Sequence, residues 1–193
     1  MRKLRISLIF LCLALHGPPT PGGAASASNI SSPQSEAITE GVGISGIIVG
    51  KSTMSDVVAA YGGGFKLVEH NKYSYEAKYK DLGLSFYYCY DDEEKKIFSI
   101  NIKPPCHGIT SKGIIVGNST LQDVFDLYGK AEPYTTIVQE TWVFKYQGIE
   151  FHIDYDSKLK GVVDEIPEEI LKKKIISIAV RAPDRTGNAC PNS

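Results

Sequence analysis

Cys106 is followed directly by His107, a thiol beside an imidazole. A thiolate nucleophile needs a base and an orienting group brought together by the fold. Adjacent side chains diverge, so the pair reads instead as a loop cysteine after Pro104-Pro105. Glu150, His152 and Asp154 alternate along the chain, and on a strand they would project from one face. Such a row can hold a metal ion. The corresponding residues of the first half are Ser85, Tyr87 and Cys89, so the row reads as a polar, solvated sheet face and not as a ligand set. Gly62-Gly63-Gly64 follows a helix, whereas a phosphate-cradling loop precedes one. Asp91 to Lys96 is a charged hairpin tip without the spacing of a calcium loop. His70 reads as a loop residue, and no cofactor is implied.

Outside the N-terminal segment the cysteines are Cys89, Cys106 and Cys190. Three cannot all pair internally. Cys106 and Cys190 each lie just beyond the last strand of their half, which favours that pairing. A disulfide involving Cys89, or none, stays open.

Arg2, Lys3 and Arg5 precede an uncharged apolar run, Ile6 to Leu15, and Ala25-Ser26-Ala27 is a small-x-small site. The pattern is that of a signal peptide over residues 1–27, cleaved after Ala27. The run is far shorter than the roughly 20 residues of a membrane-spanning helix, so no span is expected after cleavage. Leu11 stands before Cys12 where lipid attachment wants a small residue. The expected location is therefore the periplasm or the outside of the cell. The 21 Lys+Arg of the chain, less those three, leave 18 against 22 Asp+Glu. That balance argues against a nucleic-acid partner, which calls for a basic patch. Residues 28–43 are poor in apolar side chains and read as a flexible linker.

These residues must be positioned by a chain that repeats itself. Residues 46–62 and 113–129 align without a gap, and eleven of 17 positions are identical. Gly46-Ile47-Ile48-Val49-Gly50 matches Gly113-Ile114-Ile115-Val116-Gly117, a short β-favouring run bounded by glycine. Thr53-x-x-Asp56 and Thr120-x-x-Asp123 are capping-box starts. Met54, Val57, Val58 and Tyr61, like Leu121, Val124, Phe125 and Tyr128, recur at helical spacing. Gly62 and Gly129 end the helices. Farther on, Tyr79 to Phe86 matches Phe144 to Phe151, a strand, a glycine turn and a strand. Phe98 to Ile102 then matches Ile176 to Val180.

The expected fold is thus α+β. It has two tandem units, 44–105 and 106–182, each an extended segment, one helix and a three-stranded antiparallel meander. The helices would pack on one sheet face, over Leu84, Phe86, Tyr88 and Tyr90, and over Ile149, Phe151, Ile153 and Tyr155. Trp142, Phe144 and Tyr146 should join them. The units should share a core or a continuous sheet. The second carries an insertion near 158–173, with one or two helical turns over Pro167 to Lys172. Residues 183–193 read as a polar tail.

The pattern Ile-x-Val-Gly-x-Ser-Thr-x-x-Asp-Val, then Tyr-Gly, then Gly-Ile/Leu-x-Phe resembles the repeat of BamE/SmpA envelope proteins. Its tandem layout is similar to β-lactamase inhibitor proteins. The resemblance covers most of 44–182 and implies a module that binds other proteins and catalyses nothing. It carries over no functional residue. The repeated residues are structural types, with no repeated acid, base or nucleophile. The expected function is that of a secreted or periplasmic non-enzymatic protein-binding module. Tyr87, Lys78, Lys145, Glu150, His152 and Asp154 would contact the partner. The competing expectations are a thiol-dependent enzyme using Cys106 or Cys89, and a structural subunit of an envelope complex.

Overall fold

The computed structural model describes residues 36–131, 133–136 (backbone alone), 141–156, 166–182 and 190. The signal peptide read over 1–27 lies outside them, as does most of the insertion and of the tail.

Strand dominates. Three short strands, β1 (Ala37–Thr39), β2 (Gly43–Ile44) and β3 (Ile47–Ile48), precede helix α1 (Met54–Tyr61). Four longer ones follow: β4 (Lys66–Asn71), β5 (Ser74–Tyr79), β6 (Leu84–Cys89) and β7 (Ile97–Ile102). The short β8 (Ile109–Thr110) leads to α2 (Leu121–Tyr128). Then come β9 (Pro133–Thr136), β10 (Thr141–Tyr146), β11 (Ile149–Asp154), one helical turn α3 (Glu168–Leu171) and β12 (Ser177–Arg181). The strands form two sheets, ordered β3-β2-β1-β8 and β4-β5-β6-β7-β12-β11-β10-β9.

The expected α+β architecture of one helix on a three-stranded meander is therefore corrected. The strands lie in a four-stranded and an eight-stranded sheet, and the described α-helices are two of eight residues and one of four. The physical reason lies in the added strands. Lys66 to Asn71 shows no apolar alternation because β4 is an exposed edge strand. Strands of two or three residues are too short for a period to register.

The helix ends follow the residues that specify them. The Thr53 hydroxyl accepts from the Asp56 N–H at 3.4 Å, and the Asp56 carboxylate accepts from the Thr53 N–H at 2.7 Å. Thr120 and Asp123 repeat this at 3.3 and 2.7 Å. Such reciprocal capping satisfies two amide donors that a helix start leaves unpaired.

One apolar cluster joins the two sheets and the helices. It includes Ile38, Ile44 and Ile47 of the small sheet, Met54 and Val57 of α1, Leu121, Val124 and Phe125 of α2, and Leu84, Phe86, Phe144 and Phe151 of the large sheet. Two expected members fall outside it: Tyr90 and Tyr155 stand beyond the ends of β6 and β11 and are exposed. Of the linker expected over 28–43, residues 36–43 are described, and they are built into the small sheet. Ile38 is 1% exposed, and Ala37 and Ile38 pair with Ile109 and Thr110. The Tyr61 hydroxyl donates to Glu36 at 2.9 Å, Ser111 donates to Glu40 at 2.6 Å, and Tyr128 also donates to Glu40. A single buried isoleucine among polar residues leaves no pattern, yet the glutamates bind this segment to the last turns of both helices.

Candidate functional site

The outer face of the large sheet carries the candidate site, and register sets its floor. Tyr87 pairs with Ser99, and Ser99 with Arg181. Ser85 pairs with Asn101, Asn101 with Ala179, Ala179 with Glu150 and Glu150 with Lys145. His152 pairs with Ser177 on one side and Val143 on the other. The two central strands thus turn small side chains outward: Ser99 and Asn101 from β7, Ser177 and Ala179 from β12. Larger side chains on the neighbouring strands lean over this low floor. A bulge between Tyr87 and Tyr88 puts one extra residue in β7, and Phe98 lines the depression beside Ser99. Bulges commonly re-aim side chains in this way. The result is a cavity of about 60 Å³ lined by His70, Tyr87, Phe98, Ser99, Asn101, His152, Ala179 and Arg181.

The expected solvated face is corrected by burial. Tyr87, Glu150 and His152 are 8%, 5% and 4% exposed. Lys78, Lys145 and Asp154, the other expected partner contacts, are exposed. Sequence alternation assigns a residue to a face correctly but says nothing of how deep that face lies. His70, expected in a loop, lies in β4 and borders the site, and Phe98, Asn101 and Arg181 join it without any expectation from sequence. The signal that could have found the depression is the run of small outward residues on both central strands.

The charges are concentrated around Glu150. Its carboxylate lies 3.2 Å from the Arg181 guanidinium, 3.7 Å from the Lys145 ammonium and 3.9 Å from His152 Nε2. Burial, with the Arg181 and Lys103 charges adding to it, holds His152 down at about 4, so its imidazole is neutral at pH 7. Burial and the nearby Glu76 carboxylate push the Tyr87 phenol well above its ordinary range. Ser85 donates to Glu76 at 2.7 Å, and the His70 ring meets Tyr87 edge-on at 4.9 Å. Among the described residues, five buried polar atoms lack hydrogen-bond partners: Asn101 Oδ1, Glu150 Oε2, both His152 ring nitrogens and Arg181 Nε. Glu150 Oε2 nevertheless keeps its ion pair with Arg181. Among the described residues, no three His, Cys, Asp or Glu side chains converge as a metal-ligand set.

The expected Cys106–Cys190 pairing is corrected to Cys89–Cys190, with Cα atoms 5.5 Å apart. Strand direction explains it. β12 runs parallel to β6, so both leave the sheet at the same end. β7 runs the other way, and the chain that follows it to Cys106 emerges at the opposite end. Cys106 is a buried free thiol that burial pushes up to about 11. Neither residue of the thiol-enzyme expectation is a low-pKa exposed thiolate, the form such chemistry requires. A disulfide fits an oxidising compartment outside the cytoplasm. No described helix is long and apolar enough to cross a membrane.

No protein-family model matches the chain, and no curated protein matches it. Among solved structures it is similar to the uncharacterized protein yfeY from Escherichia coli, at 15% identity, 75% coverage of this chain, 99% of that one, and a TM-score of 0.48. It is also similar to YjgB, a DUF4309 family protein from Bacillus subtilis, at 16% identity, 72% and 83% coverage, and a TM-score of 0.43. An extracellular protein containing a SCP domain from Bacillus anthracis aligns at 12% identity, 70% and 44% coverage, and a TM-score of 0.40. Likenesses this remote do not bear on function.

Proposed function

We propose that the chain is an exported, non-enzymatic protein-binding module, and that the outer face of its large sheet receives the partner. The observation that carries this reading is the depression itself. Exposed Lys78, Lys145 and Asp154 stand on the face that holds it, and its floor carries buried polar atoms with no hydrogen-bond partner among the described residues. Unsatisfied buried groups are rare in folded proteins and call for an explanation; a partner's polar groups supply one. The resemblance of the Gly-Ile-Ile-Val-Gly and Thr-x-x-Asp motifs to BamE/SmpA and β-lactamase inhibitor repeats supports a protein partner. The disulfide supports export.

The test is capture from the native envelope and culture medium with the disulfide-bonded protein as bait. A partner retained by the parent should be lost on K78E, K145E or D154K. It should survive a charge change away from this face, such as D126K on the exposed side of α2. If all three face substitutions leave capture unchanged, the face is wrongly assigned.

A further inference from the structure

The unpaired atoms of the depression form a pattern with its own chemistry. His152 has two ring nitrogens without hydrogen-bond partners, of which Nε2 lies 3.9 Å from the Glu150 carboxylate; they point to opposite sides of the ring, so one of them can face a small group. In a neutral imidazole one is a donor and the other an acceptor. Asn101 Oδ1 is an acceptor, and the Arg181 Nε–H is a donor. All three side chains line one cavity of about 60 Å³. A water needs roughly 10–15 Å³ by such a measure, so the space admits a group of three or four heavy atoms.

A complementary group must offer both a donor and an acceptor close together. A carboxylate offers acceptors only, and would set a lone pair against Asn101 Oδ1. An ammonium offers donors only, and Arg181 repels it. A primary carboxamide offers two N–H donors and a carbonyl oxygen with two lone pairs. Phe98 and Tyr87, at the wall, provide ring surface for the carbon that bears it.

We propose that the cavity between β6, β7, β11 and β12 is a binding site for a primary carboxamide, held by His152, Asn101 and Arg181. The carbonyl accepts from the Arg181 Nε–H, and the amide nitrogen donates to Asn101 Oδ1. One ring nitrogen of His152 completes the set, donating to the carbonyl or accepting from the second amide N–H according to its tautomer. The group can belong to a free small amide or to a glutamine or asparagine side chain of the partner. The proposal rests on the reading of this face as a binding surface.

The test follows the imidazole nitrogens of His152 by NMR in the histidine-labelled, disulfide-bonded protein. Acetamide should shift them saturably, with a Kd on the order of millimolar for so small a ligand. Sodium acetate and N,N-dimethylacetamide should not. N101L should weaken the acetamide response at least tenfold. A response to acetate and none to acetamide overturns the proposal, as does no response to either. A Gly-Gln-Gly peptide binding more than tenfold tighter than propionamide assigns the group to a protein side chain; equal affinities assign it to a free amide. The acetamide titration needs no partner, so its failure stays distinct from a failure of capture with K145E, which tests the wider face.

Discussion

The Glu150 carboxylate and the Arg181 guanidinium meet at 3.2 Å across two neighbouring strands, with the carboxylate buried and the arginine half-exposed. They are not directly opposite: Glu150 faces Ala179, and Arg181 reaches over it from the end of β12. The Gly148 carbonyl accepts from the Arg181 N–H at 3.1 Å and from the Gly41 N–H at 3.0 Å. That bond fixes the strand end from which the guanidinium extends.

Removing the guanidinium strands a buried charge. R181M should cost about 2 kcal/mol, below the usual loss for a fully buried pair because Arg181 is half-exposed and Lys145 remains near. E150Q/R181M should recover more than half of that loss. Urea unfolding of the parent, both single variants and the double variant closes the cycle; purely additive losses would show that the pair is not coupled.

His152 makes stability depend on pH with a definite sign. Its folded value, about 4, lies below the ordinary 6.5. The stabilisation is complete above about pH 6.5 and is lost as pH falls toward 4, where the unfolded chain binds a proton that the folded one refuses. The loss amounts to about 3 kcal/mol. In H152Q the slope of unfolding free energy between pH 4 and 6.5 should flatten; an unchanged slope would clear His152 of responsibility.

Gly83 and Gly148 are among the glycines fixed by close approach. A Cβ on Gly83 (φ 68°) would sit 2.0 Å from the Lys103 carbonyl oxygen, and one on Gly148 (φ 77°) 2.4 Å from the Gly41 backbone. Gly62 has φ 79° but nothing within 4 Å. G83A and G148A should each lower the thermal midpoint more than G62A, which carries backbone strain alone, roughly 1–3 kcal/mol. Similar shifts for all three would remove the steric account.

Each helix cap can be cut separately. T53A and T120A should each destabilise by about 1 kcal/mol. The two losses should add, since the boxes share no residue. Circular dichroism during urea unfolding reads both.

The cysteines should behave as one bridge and one protected thiol. In the folded protein Cys106 should resist a thiol reagent until urea is added. C89S should cost several kcal/mol, about 4–5 by the entropy of so long a loop, as the bridged residues are 101 apart. Rapid labelling of Cys106 in the native state would contradict its burial.

Where each property came from differs by length scale. The capping boxes, the Gly62 and Gly129 ends and most of the core face are legible because each depends on neighbours three or four positions away, or on simple alternation. β4 is not, since an exposed edge needs no apolar face. Nor is the Cys89–Cys190 bridge, which depends on which end of the sheet each strand leaves. The depth around His152 depends on Ser99, Asn101, Ser177 and Ala179, residues whose smallness means nothing until β7 and β12 are known to be neighbours.

That neighbourhood also sets an order of assembly. β12 follows all the other described strands in the chain, yet it sits in the middle of the large sheet, between β7 and β11. Until residues 177–181 are available, β4 to β7 and β9 to β11 are two separate patches with unpaired inner edges. A chain delivered N-terminus first, from a ribosome or through a secretion channel, therefore carries one open template for foreign strands once β7 has emerged and a second once β11 follows, until β12 arrives. Its last strand acts as a keystone, closing both edges and completing the floor of the cavity in one event.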